Sequence, residues 1–267
     1  MVERSDQASS HQDRIRTNYN ATGVAIMQAM YSDDYLSIGG VASTDQLAAL
    51  AGLTSASVVL DIGCGLGGPA LRLAETLGCR VHGVDLVESS VTEAQLRAEQ
   101  RGLGGLVTFA AADATQLPID DGAFDVVFGQ DAWCHVPDKR ALLQQAARVL
   151  RPAGTIVFTD WLVGSGMSGA ERAAALDAAA SRDAATAAQY QAMLAEAGFD
   201  AISYVDISEV FAAQYHQVYE RLQGAKAELT ETYSDRVYAI VADMNRTILH
   251  GFEGGAIGGG QFVAHLR

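Results

Sequence analysis

Hydrophobic and polar positions alternate along this chain in two rhythms. Short apolar runs over 57–62, 80–85, 106–112, 124–130 and 154–160 read as strands, and the stretches 67–78, 88–102 and 138–150 read as helices. Strand and helix in turn predict a parallel sheet covered on both faces. Arg151, Pro152, Ala153 and Gly154 form a turn that ends a helix and launches the fifth strand. Upstream, residues 1 to about 13 are polar and aperiodic and read as disordered. Ile15, Tyr19, Val24, Ile26, Met27 and Met30 then follow a helical pattern over 14–31. Residues 34–40 read as a loop, with Ser43 or Thr44 capping a helix that runs to Leu53. Beyond Trp161 the pattern changes. A loop over 164–169 leads into alanine-rich 170–198, one or two helices ending at Gly198, a natural cap. A short strand near 201–207, helices near 209–226 and 232–250, and an alternating strand over 260–266 complete the chain.

The first strand breaks into a glycine-rich turn, Asp61-Ile62-Gly63-Cys64-Gly65-Leu66-Gly67-Gly68, and a helix follows at once. Backbone without Cβ atoms can approach a ligand closely there. Asp85 ends the second strand, about 20 residues on, where a carboxylate can bind a ribose. Gly63, Gly65 and Gly68 fit the dinucleotide pattern, which is a weak signal alone. The same stretch fits Asp-x-Gly-x-Gly-x-Gly, and Asp61 would repel a pyrophosphate but attract an ammonium. Asp113 follows the third strand, where an acid can accept from an adenine amino group, with the Ala114 amide beside it. An ammonium, a ribose, an adenine and no phosphate describe S-adenosyl-L-methionine. Asp61 also reads as a cap for local amides.

Composition narrows the partners. The 267 residues carry a formal net charge of −14, and 49% are hydrophobic, enough for one α/β domain with additions. The scattered basic residues form no patch, which argues against a nucleic-acid partner. No apolar run is long enough for a membrane span, and the polar start lacks a signal-peptide core, so the reading is cytoplasmic. Cys64, Cys79 and Cys134 have no disulfide or metal-ligand spacing and read as small buried hydrophobes; no metal is expected.

With these stations in place, the chain resembles the class I S-adenosylmethionine-dependent methyltransferases. Within them it is most similar to the phosphoethanolamine and sarcosine/dimethylglycine N-methyltransferases. The resemblance rests on Tyr35-Leu36-Ser37-Ile38-Gly39-Gly40, the glycine-rich turn, Gln130-Asp131-Ala132-x-x-His135 and Thr159-Asp160-Trp161. It implies a doubly wound, Rossmann-like, seven-stranded α/β sheet, closed by an antiparallel strand, with an N-terminal helical lid and a helical insertion after the fifth strand. Residues 1–50 would be tail and lid, 51–162 the cofactor-binding core, and 163–267 the acceptor-binding helices and closing strands of the same domain. The implied cofactor set is Tyr19, Ser37, Asp61, Gly63, Gly65, Gly67, Asp85, Leu86, Asp113, Ala114, Gln130 and His135. Tyr19 and His135 would latch the site and assist proton removal, and Asp131 would touch an acceptor amine. Trp133, Trp161 and Arg182 join Asp131 on the acceptor side. Two departures stand out. Around 176–184 the tyrosines of the phosphate cage are missing and Arg182 alone remains as a cation, and 258–262 lacks an expected tryptophan.

The acceptor is therefore expected to be a small molecule, an amine or amino acid derivative, with His135 as general base because its ordinary pKa lies near neutrality. The indoles of Trp133 and Trp161 could face a methylated cation. Plainer alternatives stand beside these: Tyr19 as an anchor for its helix, His135 as a helix cap, and either tryptophan as packing. A carbon or oxygen acceptor on an apolar metabolite remains open, as do a nicotinamide oxidoreductase and an idle binding member of the fold. The reading allows a homodimer.

Overall fold

A computed structural model describes residues 11–32, 34–167 and 169–267. The disorder expected for residues 1–10 and the expected loop at Ser168 lie outside the described residues. Residues 11–13 are helical, against expectation: α1 spans 11–18, held by contacts far along the chain that local pattern cannot show. The order continues α2 (Ala21–Met30), α3 (Gly40–Leu50), β1 (Val58–Ile62), α4 (Gly68–Leu77), β2 (Arg80–Asp85), α5 (Glu88–Gln100), β3 (Val107–Ala111) and β4 (Phe124–Gln130). A single 3₁₀ turn, Trp133–His135, precedes α6 (Lys139–Val149) and β5 (Leu150–Val163). Then come α7 (Gly169–Ala178), α8 (Ala187–Glu196), β6 (Phe199–Asp206), α9 (Ser208–Gly224), α10 (Lys226–Thr232), α11 (Asp235–Glu253) and β7 (Ile257–Leu266).

The strands form one seven-stranded sheet in the order β3-β2-β1-β4-β5-β7-β6. β1 to β5 are parallel, and β7 runs antiparallel between β5 and β6. Alternate strand residues face opposite layers. Val59, Val126 and Phe128 pack with Leu47, Leu71 and Ala98 of α3, α4 and α5. Their neighbours Leu60 and Val127 pack with Leu142 and Leu194 of α6 and α8. Both faces are thus covered, as expected. Past the sheet's end, α7, α9 and α11 enclose Trp161 in a separate aromatic cluster.

Local chemistry explains the element boundaries. Asn20 accepts from the Gly23 amide at 2.9 Å and starts α2, and Asp138 accepts from the Ala141 amide at 2.9 Å and starts α6. The alanine-rich stretch splits because Ala180 takes φ +50° and Thr186 with Gln189 makes a reciprocal cap on α8. Ser43 and Thr44 lie inside α3 rather than capping it. Buried Thr44 accepts no such role because its hydroxyl donates to Gln130 Oε1 at 2.7 Å. The turn expected at 151–154 is present as a bulge: Phe124 pairs with Leu150 and Val126 with Thr155, so β5 loops out between them. The short α10 has no sequence signal of its own. Among the described residues, no helix is long and apolar enough to cross a membrane.

Gly129 on β4 lets the Trp133 indole lie against the strand; a Cβ there would sit 2.5 Å from the indole Cε2. Gly129→Ala should therefore destabilise the fold by about 1–3 kcal/mol, the usual cost of overpacking, read as a lowered urea midpoint at unchanged slope.

Candidate active site

Strand order reverses between β1 and β4, so the connections leaving these neighbours turn to opposite faces and a crevice opens at their C-terminal ends. Into it projects the loop over 63–67. Gly63 and Cys64 donate their amides to the Val84 carbonyl at 2.8 and 3.1 Å, which ties the loop to β2. Gly63 has φ +84°, and a Cβ there would lie 2.4 Å from that of Ala132. Gly65 has φ +51°, and a Cβ there would have only Leu36 within 4 Å, at 3.8 Å, so its bare backbone faces open space. Asp85 at the end of β2 organises the rim: its oxygens accept from the Gly65 and Val87 amides, each at 2.9 Å. The amide-capping role considered for Asp61 thus belongs to Asp85.

The crevice encloses a cleft of about 570 Å³, within the range of small-molecule sites. Tyr19, Ser37, Gly63, Gly65, Asp85, Leu86, Asp113, Ala114, Gln130, Asp131, Trp133 and His135 line it; Gly67 and Asp61 are not part of the lining. Gln130 is held by three partners, accepting from Thr44 and donating to Ser37 Oγ at 2.8 Å and the Gly40 carbonyl at 3.0 Å. Asp113 accepts from the Thr115 amide and hydroxyl at 2.8 and 2.7 Å, and from Gln12 at 2.8 Å. Asp61 is 1% exposed and neither oxygen has a hydrogen-bond partner. Burial, with Asp85 nearby, pushes its pKa up to about 8.

Deeper in the cleft, His135 Nδ1 lies 3.1 Å from the Ala180 carbonyl, which can only accept, so the proton sits on Nδ1. Nε2 is left bare and takes the Tyr19 hydroxyl at 3.1 Å. Burial drives the Tyr19 hydroxyl pKa upward and keeps it a donor. Burial also lowers His135 to about 4, well below the near-neutral value expected from sequence, so the imidazole is neutral at pH 7. His11 donates to the His135 carbonyl at 2.8 Å. Asp131 also lines the cleft, in a left-handed conformation with φ +55°. Its Oδ1 accepts from Thr159 at 2.7 Å; its buried Oδ2 makes no hydrogen bond of normal geometry, with the Ile38 and Gly39 backbone amides near enough to favour the charged form. Burial, reinforced by the Asp160 charge, raises Asp131 to about 6.

Three acceptor-side expectations change. Trp133 reaches the cleft wall but serves as packing. It is 1% exposed, its indole donates to the Ile62 carbonyl at 3.0 Å, and its ring lies 4.3 Å from that of Phe158. Trp161 is not brought to the cleft. Tyr215 and Phe252, from α9 and α11, cover it edge-on at 5.8 and 5.1 Å. Arg182 is exposed at the surface, where its guanidinium pairs with Asp177 at 2.6 Å. Sequence reasoning missed His11 and Gln12, which sit in a polar stretch without periodicity. It also missed the Ala180 carbonyl, which no side-chain pattern can announce.

The residues present fit a cationic nucleoside. Both oxygens of Asp61 and one of Asp131 are buried without a hydrogen bond, a glycine cradle faces the space, and the cleft lining holds no lysine or arginine among the described residues. A phosphate would find no counter-charge there. Comparison with known proteins agrees. The "Methyltransferase domain" family model matches residues 60–158. The 27-O-demethylrifamycin SV methyltransferase of Amycolatopsis mediterranei is 35% identical over 192 residues, 69% of this chain and 69% of that protein. The glycine/sarcosine/dimethylglycine N-methyltransferase of Actinopolyspora halophila is 31% identical over 78% of this chain, which spans only 37% of that protein. The solved phosphoethanolamine N-methyltransferase 2 of Haemonchus contortus, in complex with S-adenosyl-L-methionine, shares the fold. It has a TM-score of 0.88 at 24% identity, over 96% of this chain and 60% of that one. The resemblance read from the strand-end acids and glycines is borne out, and the chain belongs to the S-adenosylmethionine-dependent methyltransferases.

Proposed function

We propose that this small-molecule methyltransferase methylates the nitrogen of a small amine lacking a phosphate, with Asp131 receiving the amine. The observation that carries the reading is Asp131 Oδ2, a buried acceptor without a hydrogen bond in a cleft whose lining, among the described residues, has no lysine or arginine. S-adenosylmethionine, when bound, supplies an electrophilic methyl group on a sulfonium. Asp85 would hold its ribose, Asp113 and the Ala114 amide its adenine, and the charge of Asp61 its ammonium. Ser37, Leu86 and Gln130 shape the wall. An ammonium has no lone pair, so the acceptor must lose a proton before it can attack. Asp131 would accept a hydrogen bond from the nitrogen and fix its direction. The Tyr19 hydroxyl would take the departing proton while passing its own to His135 Nε2, which would make His135 the general base, neutral and ready to receive a proton but weakened by burial. α1 and α2 carry His11, Gln12 and Tyr19 onto the cleft and would act as its lid.

A second reading has its own support. The relative that matches this chain over 69% of both lengths is named for an O-methylation, and the Tyr19–His135 pair could equally take a hydroxyl proton. Release of S-adenosylhomocysteine with amines, phenols, alcohols and carbon acids separates the two. Turnover confined to amines is expected; turnover confined to hydroxyl or carbon acceptors would replace the first reading with the second.

Removing the base should act on turnover alone. His135→Ala is expected to lower kcat roughly 10²–10⁴-fold while the cofactor Kd stays nearly unchanged, checked by steady-state kinetics beside calorimetry. Equal losses in both would make His135 a structural residue.

Cofactor binding should also release a proton. Asp61, with a pKa of about 8, is mostly protonated at pH 7, and an ammonium arriving nearby favours its charged form. Affinity should therefore rise with pH up to about 8 and level off above. Calorimetry at pH 7 in two buffers of different ionisation enthalpy should give different apparent heats, and Asp61→Asn should remove the difference. Identical heats for the unmodified protein would show that Asp61 does not ionise on binding.

A further inference from the structure

The cleft accounts for Asp131 and His135 but leaves a second group of buried charges unexplained. Lys139, at the start of α6, is 4% exposed, and Asp160, near the end of β5, is 0% exposed. Neither lines the cleft. Both reach instead to the backbone on either side of His135. Asp160 Oδ1 accepts from the Cys134 amide at 2.8 Å, and Lys139 Nζ donates to the Val136 carbonyl at 2.9 Å. Lys139 makes one further hydrogen bond, to the Asp183 carbonyl at 2.7 Å. That carbonyl belongs to the segment whose Ala180 carbonyl receives His135 Nδ1. Asp160 Oδ2 in turn accepts from the buried Tyr190 hydroxyl at 2.6 Å, which docks α8 against the same frame.

We propose that Lys139 and Asp160 are positioning residues that fix the tautomer and direction of His135. A 3₁₀ turn of three residues, Trp133–His135, has too few internal hydrogen bonds to hold a side chain rigidly. Here its amide and carbonyl flanks are each pinned by an opposite buried charge. The Ala180 wall is also strained, since a residue with a Cβ is held at φ +50°. The segment is otherwise held by local hydrogen bonds around Ser181, by the Val163 amide on the Ala185 carbonyl at 3.0 Å and by Ala180 packing on Ile15 and Val87, whereas the Lys139 ammonium also grips the Val136 carbonyl beside His135 and so ties the wall to the ring's own backbone. Once that carbonyl moves away, the proton can shift to Nε2 and the imidazole presents a donor where the cleft requires an acceptor. Burying an unlike pair stabilises a fold poorly compared with apolar packing, so conformational specificity is the better account of its presence.

The inference rests on the role given to His135 above, so its test reads the ring directly. Long-range proton–nitrogen NMR of the ¹⁵N-histidine-labelled protein reports the tautomer, and His135→Gln assigns the signal. The unmodified protein should show the Nδ1–H form. Lys139→Met should convert the signal to Nε2–H or an average of both, with turnover down about ten- to a hundredfold and the cofactor Kd unchanged. Because Lys139→Met leaves Asp160 without its counter-charge, the double variant Lys139→Met/Asp160→Asn carries the same expectation if the single one fails to fold. An unaltered Nδ1–H signal in the folded variant overturns the inference. A changed tautomer with full turnover supports the positioning role and instead removes His135 as the base.

Discussion

Everything in this molecule follows from a crevice that the sheet cannot close. β1 and β4 are neighbours, yet the segments leaving them turn to opposite faces, so no helix can cover the gap at their shared end. Strand residues beside the gap are held by the ladder on both sides, with Asp61 in register with Gly83 and Phe128. The crevice is thus a rigid rim carrying residues whose side chains have nowhere else to go. Glycine completes it, since the loop over 63–67 can fold back onto β2 only with left-handed backbone at Gly63, Gly65 and Gly67.

Acids gather on that rim at a cost. Asp61 and Asp131 are buried, and both have pKa values raised by desolvation, so the protein tolerates them partly by holding protons. The cost would be relieved by a cationic ligand. Asp34, also in the lining, differs because Arg97 and Arg101 pair with it and neutralise it structurally. The difference between a paired aspartate and an orphaned one separates scaffold from site here better than the count of acids does.

The second half of the chain does for direction what the sheet does for place. The connection after α7 supplies the Ala180 carbonyl, α8 supplies Tyr190, and α1 leads into Tyr19, so His135 is gripped by segments more than a hundred positions apart as well as by near ones. α1 itself is lightly anchored. Ile15 packs in a small cluster with Val87 and Ala180, and Arg14 meets Asp177 in a pair that remains 38% exposed on each side. Exposed pairs of this kind contribute little. His135 is therefore firmly held from below and loosely covered from above.

Much was legible in the chain alone. Alternating apolar runs set the sheet and its helices, and the spacing of Asp61, Gly65, Asp85 and Asp113 set the kind of ligand, because strand ends and glycine turns are local features with local signatures. Side-chain destinations were not legible. Trp133 and Trp161 carry the same indole, and only packing decided that one fills the core and the other is roofed by α9 and α11. Arg182 looked like a site cation until Asp177 paired with it at the surface. His135 has an ordinary pKa in sequence, while its tautomer and weakened basicity come from the Ala180 carbonyl and from burial. Those properties arise from groups brought together across long stretches of chain, and neither periodicity nor spacing encodes which distant backbone atom a side chain will meet.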